Sequence, residues 1–326
     1  MLAPELSSAE EIVINAVGDI MLAGRWTSVF KKKGYDFPFA GIRAELSGAD
    51  INLANLESPI ARSGKEYTKK KFRFLAAPEV ARALAGARFN LVTLANNHSM
   101  DYSRQALLET MANLDASGVN WIGAGTDLNS ARMSAYYRIK GKIVAFLGYS
   151  LTQPVEFFAS NYRAGTAPGW EHIYSRDIKV AKARADYVVV SFHWGKEGQG
   201  SVADNQRFAA HRAIDAGADV IIGHHPHVLQ GVECYNKGII FYSLGNFAFA
   251  SMSHTAEFGA LVKIRLDNEQ REAEIVPLDV LNSRVFFQPQ VLTGLRADAV
   301  IANLNTLSKP FDTVIQRRDG RYYISF

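Results

Sequence analysis

Five apolar runs in this chain each end on side chains able to bind a metal, and that repetition narrows the folds open to it. The run Ile12 to Val17 ends in Gly18-Asp19. Asp50 to Asn55 leads into Leu56-Glu57-Ser58, and Phe89 to Ala95 into Asn96-Asn97-His98, with Asp101 close behind. Tyr187 to Phe192 ends in His193-Trp194-Gly195-Lys196-Glu197. Ala218 to Ile222 ends in Gly223-His224-His225-Pro226-His227. One Gly-Asp after a strand is usually a turn. A series of such ends is what open α/β sheets produce, because their crevices form outside the carboxyl ends of the strands.

Helical spacing fills the intervals: Ser103 to Ser117 stopping at Gly118, Ile173 to Ala185, and Ala203 to Ala216 closed by Gly217. Tyr136 to Tyr149 reads as a hairpin turning near Lys140-Gly141. Val228 to Cys234 pairs with Ile239 to Leu244 across Asn236-Lys237-Gly238, the glycine taking the positive φ. The alternation predicts an α/β fold rather than an all-β one. Leu151 to Trp170 follows no period and reads as a lid or long surface loop. Residues 1–11 read as a polar lead, 12–266 as the main domain, and 267–326 as a strand-rich extension packed on that domain.

Cys234 is the only cysteine, so a thiolate cluster and an intramolecular disulfide are both excluded. Any metal must be held by oxygen and imidazole. Asp19 and Glu57 supply anionic oxygen, Asn97 an amide oxygen, and His193, His225 and His227 nitrogen. That mixture suits zinc, manganese or iron(II) better than calcium. One ion or two can be held, since a carboxylate can bridge two cations, and such sites activate water for in-line attack on phosphorus. His98 adjoins a ligand but faces elsewhere, which makes it the candidate general acid or transition-state donor, with Asp101 as its orienting partner. Arg25, just past the first of these ends, is a fork for carboxylate or phosphate. Glu197, near His193, and Asn246, in Ser243-Leu244-Gly245-Asn246-Phe247, are further substrate candidates.

The net charge of +4 is small, and the basic runs Lys31-Lys32-Lys33 and Lys69-Lys70-Lys71 lack the interleaved aromatics of a nucleic-acid groove. They read as solvated loop charge. No apolar run approaches the ~18 residues of a membrane span. The amino terminus has no basic start and no apolar signal core, which leaves a cytoplasmic location open.

Taken in order, Gly18-Asp19-Ile20-Met21-Leu22, Asn55-Leu56-Glu57, Ala95 to Tyr102, His193 to Glu197, Gly223 to Gln230 and Tyr242 to Phe247 resemble the motifs of the CapA family. That family is linked to poly-γ-glutamate capsule synthesis and lies within the calcineurin-like metallophosphatase superfamily. The resemblance runs from about Ile12 to Leu266. It implies an α/β sandwich of two β-sheets flanked by helices, with one or two divalent ions (Mn, Zn or Fe). Asp19 matches the first aspartate, Glu57 the bridging carboxylate, Asn97 and His98 the ligand and catalytic donor, His193 the lone histidine, and His225 and His227 the final pair. Met21 stands where the superfamily has a histidine, and Glu57 where it has an aspartate.

The implied substrate is an anionic polymer or a phosphoester, with capsule-synthesis membrane proteins as partners, no nucleic acid, and a place on the extracytoplasmic face of the envelope. Three roles fit: a component of envelope-polymer synthesis, a free-standing phosphoesterase, or a non-catalytic polymer-binding or assembly subunit stabilised by metal.

Overall fold

The computed structural model describes residues 11–267 and 271–326, so residues 1–10 of the polar lead lie outside the described residues. Strand Tyr187–His193 shows why the chain builds layers. All its residues are buried, and they sort by parity: Tyr187 and Val189 enter one apolar cluster, Val188, Val190 and Phe192 another. The same sorting divides Val144 and Phe146 from Ala145, Leu147 and Tyr149 in strand Lys142–Ser150. Side chains alternate across a strand, so strands apolar at both parities must be covered on both faces.

Two large sheets meet that demand. In the first, Gln316–Arg318, Arg321–Ser325, Arg271–Asp279, Phe258–Leu266, Ile12–Met21, Ile51–Leu56, Leu91–Thr93 and Asn120–Ile122 lie side by side in that order. Asn246–Phe249 also pairs with Ile12–Met21, in parallel. The second runs Val232–Tyr235, Gly238–Phe241, Val220–His224, Tyr187–His193, Lys142–Ser150, Ala135–Ile139. Ile14, Leu53, Phe146, Val189, Ile222 and Phe241 belong to the cluster between them. Helices Glu79–Gly86 and Ser103–Ala116 pack through Leu84, Leu107 and Leu114 on the outer face of the first sheet. Helices Glu171–Lys182 and Asp204–Asp215 pack through Ile178 and Ala213 on that of the second. This is the expected two-sheet sandwich flanked by helices.

Three details differ from the sequence reading. The first strand continues past Val17 to Met21, because Asp19 to Met21 still find partners in Ile51–Leu56 and Asn246–Phe249. The second hairpin turns on two residues: Tyr235 pairs with Gly238, and Asn236 and Lys237 carry the positive φ values, 45° and 66°. Two-residue hairpin loops of that kind need φ above zero at both central positions. Gly238 is instead kept small by packing, since a Cβ there would stand 2.6 Å from Ile214 Cδ1. Finally, the carboxyl-terminal segment contains helix Gly294–Ser308, which a strand-rich reading does not include. Its Ala297, Val300, Ile301 and Leu304 recur at helical spacing and enter the inter-sheet cluster.

Candidate metal centre

The parallel strands of both sheets end at one edge, where the segment Tyr242 to Gly245 crosses from the second sheet to the first. Close backbone approach makes that crossing. Asp19 N donates to Gly245 O at 3.1 Å, and a Cβ on Gly18 would lie 2.0 Å from the same oxygen. A Cβ on Gly223 would likewise lie 2.0 Å from Tyr242 O. Glycine before Asp19 and before His224 therefore lets the crossing segment lie against the backbone of each sheet.

The first sheet brings oxygen to this seam and the second brings nitrogen. Asp19 lies within strand Ile12–Met21, Glu57 just past Ile51–Leu56, Asn97 beyond Leu91–Thr93, and Asn246 opens Asn246–Phe249. His193 ends Tyr187–His193, and His224 ends Val220–His224 directly beside it in register. His225 and His227 follow with φ of 94° and 59°. Residues other than glycine rarely adopt such values, which cost about 1–3 kcal/mol each and persist where the surroundings impose them.

Glu57 is the hub. Its Oε1 lies 3.6 Å from His193 Nε2 and 3.7 Å from His227 Nε2. Asn97 Oδ1 is 2.9 Å from His193 Nε2. Asp19 Oδ2 meets His227 Nδ1 at 3.0 Å and the His225 backbone N at 3.3 Å, while Oδ1 meets His224 Nδ1 at 3.1 Å. His227 Nδ1 also reaches Asn246 Oδ1 at 3.0 Å, which leaves its Nε2 toward Glu57.

Asn55, which the sequence reading places in a strand but gives no role, ties the carboxylates together. Its Nδ2 donates to Asp19 Oδ1 at 2.8 Å and to Glu57 Oε2 at 3.1 Å, and its Oδ1 accepts from Asn96 Nδ2 at 3.0 Å. Its spacing of two from Glu57 was the available signal, because it puts both side chains on one face of an extended chain.

The residues fit a divalent cation. Glu57 Oε1, His225 Nδ1 and His224 Nε2 are buried with no partner, at about 1–3 kcal/mol for each unsatisfied group. Two sets of ligand atoms lie mutually within 4.8 Å, Asp19–Glu57–His193 and Glu57–His225–His227, and Glu57 is common to both. Burial holds His193 well below its ordinary pKa, and burial with His227 nearby takes His225 down to about 3, so both present neutral imidazole. Burial raises Glu57 well above the usual carboxylate range, and the Asp19 charge adds to the rise against His227. Burial also opposes ionisation of Asp19, but hydrogen bonds to His224 and His227 outweigh it and hold the carboxyl well below its usual range. His227 is raised to about 9: burial works against its charge, and Glu57 and Asp19 prevail.

Beside this group, His98 Nδ1 lies 2.5 Å from Asp101 Oδ2, with both side chains buried. Burial lowers the His98 pKa in spite of Asp101. Lys70, read from sequence as solvated charge, instead enters the site. Its Nζ donates to Asp101 Oδ1 at 2.7 Å and to the Asn97 carbonyl, and stands 3.1 Å from His98 Nδ1. Burial lowers its pKa against the pull of Asp101.

Two sequence candidates sit differently. Arg25 is exposed in the turn Gly24–Trp26, after the strand has ended, with its guanidinium 5.5 Å from the Trp26 ring centroid. Glu197 is exposed and touches the site through its field, which acts on Glu57, His227 and Lys70. Met21 belongs to the apolar cluster on the outer face of the first sheet, so position 21 offers no nitrogen.

A two-sheet α/β sandwich with carboxylates, amide and imidazoles gathered at the strand ends defines a metallophosphatase-like fold. The NAD nucleotidase of Haemophilus influenzae shares the fold, with a TM-score of 0.50 at 12% identity, over 91% of this chain and 62% of that one. Within that class the chain belongs to the family described as bacterial capsule synthesis protein PGA_cap, whose pattern matches residues 13–251. It is 33% identical to the PGA biosynthesis protein CapA of Bacillus subtilis over 282 residues, 85% of this chain and 74% of that protein. The capsule biosynthesis protein CapA of Bacillus anthracis is also 33% identical, over 83% of this chain and 68% of its own. A probable polyglutamine synthesis accessory protein of Mycobacterium tuberculosis is 30% identical over 213 residues, 62% of this chain and 56% of that protein.

Proposed function

We propose that this chain serves in the production of poly-γ-glutamate or a related anionic envelope polymer, and that its strand-end group holds one or two divalent ions of zinc, manganese or iron. The observation that carries this reading is the convergence of Asp19, Glu57, His193, His225 and His227, each from a family motif, at one buried seam. The name of the Bacillus subtilis relative supplies the polymer, and that of the Bacillus anthracis relative the capsule. The reading includes a place on the outer face of the envelope, beside membrane proteins of polymer synthesis. Among the described residues no helix is long and apolar enough to cross a membrane. Deleting the gene in its host and measuring anionic polymer tests the proposal. Normal polymer sinks it, and rescue by the wild type but not by His225→Ala supports the role of the site.

Hydrolysis of a phosphoester is a second reading, and the His98–Asp101 contact favours it over a purely structural metal site. A bound divalent ion supplies Lewis acidity. The chain itself holds a proton on His98 Nδ1 against Asp101, leaving Nε2 to exchange one with the reactant. A panel of phosphomonoesters and phosphodiesters with added manganese or zinc separates the two readings. Silence across the panel from metal-loaded protein counts against catalysis, as does a folded His98→Ala variant that retains function in the host.

A further inference from the structure

Lys70 departs from the pattern of its neighbours. Lys69 and Lys71 are exposed, but Lys70 turns inward, with 16% of its side chain exposed. The segment carrying it is strapped to one residue. Tyr67 N donates to Asp101 O at 2.8 Å, Phe74 N to Asp101 Oδ2 at 2.9 Å, and Lys70 Nζ to Asp101 Oδ1 at 2.7 Å. Arg73 ties the strap to itself through the Lys70 carbonyl and Glu66.

Donor counting then leaves something over. An ammonium has three N–H donors. One goes to Asp101 and one to the Asn97 carbonyl. Of the remaining neighbours, His98 Nδ1 is already engaged by Asp101 at 2.5 Å, and the Phe157 ring, its centroid 5.5 Å from Nζ, offers a π face and no lone pair. One donor of a largely buried cation is thus left without a lone-pair acceptor, beside the backbone of Asn97 and the rings of His98 and Phe157. Burying a cation beyond the needs of its single carboxylate partner is costly unless a further anion uses it.

We propose that Lys70 is an anion-binding residue of this site, aiming its free donor at an oxyanion of the substrate, a phosphoryl or carboxylate oxygen. The inference rests on the metal reading of the same site and extends it to the substrate. It places the specificity for negative charge on the strap and not on Arg25. The residue acts as a point charge with one directed donor, so it selects charge at one position without requiring the planar geometry that an arginine fork demands.

The test is calorimetric binding of inorganic phosphate, and separately of a short γ-linked glutamate oligomer, to metal-loaded protein with metal per chain measured alongside. Lys70→Met should weaken binding of at least one probe about tenfold to a hundredfold, the range of a lost hydrogen bond to a charged group, at unchanged metal content. Lys70→Arg should recover part of the loss, and Lys69→Met should change nothing. Lys70→Gln, which keeps a polar head, serves if the Met variant does not fold. Phosphate alone responding assigns a phosphoryl group, and the oligomer alone a polymer carboxylate. Binding of both probes within twofold of wild type in a folded, metal-loaded Lys70 variant overturns the inference. Wild-type protein that takes up no metal overturns instead the reading on which it rests.

Discussion

Glu57 Oε1 faces His193 Nε2 across 3.6 Å, too far for a hydrogen bond, with both side chains fully buried. Two ligand atoms held at ~2.0–2.2 Å by one tetrahedral zinc stand roughly 3.4 Å apart. The gap is close to the spacing of two ligands on one shared cation, and closing it by direct contact would leave His227, at 3.7 Å on the same oxygen, unserved.

Chelation should accordingly destabilise the protein. Metal at one hundred times its dissociation constant stabilises by about 2.7 kcal/mol, which corresponds to a fall in Tm of roughly 4 °C on its removal. Thermal unfolding before and after chelator, then with zinc or manganese restored, checks it. An unchanged Tm means that the buried imidazoles and carboxylates are structural on their own.

Asn55→Ala should loosen the metal without unfolding the chain. The amide orients both Asp19 and Glu57, and groups that hold ligands in place typically contribute 10–100-fold in metal affinity. Competition against a fluorescent chelator measures this directly. Equal affinity in the variant would show that the two carboxylates are held by the backbone alone.

Met21→His should not restore a superfamily ligand. The side chain belongs to an apolar cluster that includes Leu56, Leu94 and Phe247. An imidazole placed there is expected to lower stability by about 1–3 kcal/mol for the buried polar group, with no added metal per chain. Urea unfolding and elemental analysis read the two effects independently, and a gain in metal would show that position 21 can reach the site.

Asp279 predicts a pH dependence away from the centre. Burial opposes its charge, but Arg284 Nε at 2.8 Å, Arg296 Nη2 at 2.6 Å and the Leu281 backbone N–H outweigh it and lower its pKa from 3.8. A carboxyl depressed in the folded state contributes stability that is present above its unfolded pKa and lost as pH falls through the folded one. Asp279→Asn should therefore cost about 1.5–3 kcal/mol at neutral pH. The difference from wild type should shrink only below about pH 4. A constant difference across that range would assign the loss to packing.

Much of the centre was legible because its ligands are chemically conspicuous and lie at the ends of apolar runs. Glu57, His193 and His225 need only their strands to reach the seam, and those strands follow from alternation. Lys70 was hidden for the opposite reason. Its direction is set by hydrogen bonds from Tyr67, Phe74 and its own side chain to Asp101, residues far along the chain, and three consecutive lysines otherwise read as solvent-facing. Arg25 is close to Asp19 in sequence, but the turn at Gly24–Trp26 leaves it exposed. Helix Gly294–Ser308 was missed for want of clustered ligands in a region read only for its strands.

The division of donors between the sheets has a mechanical consequence. Oxygen comes from one layer and nitrogen from the other, so an ion bound at the seam is a rivet through both, and neither layer alone can seat it. Sliding the layers past one another by even an ångström would separate Glu57 from His193 and His227 together. Loading the ion should therefore slow amide exchange along strands Ile51–Leu56 and Tyr187–His193 in concert, although no hydrogen-bonded ladder joins them. The centre then reports on the alignment of the whole sandwich as much as on its own ligands.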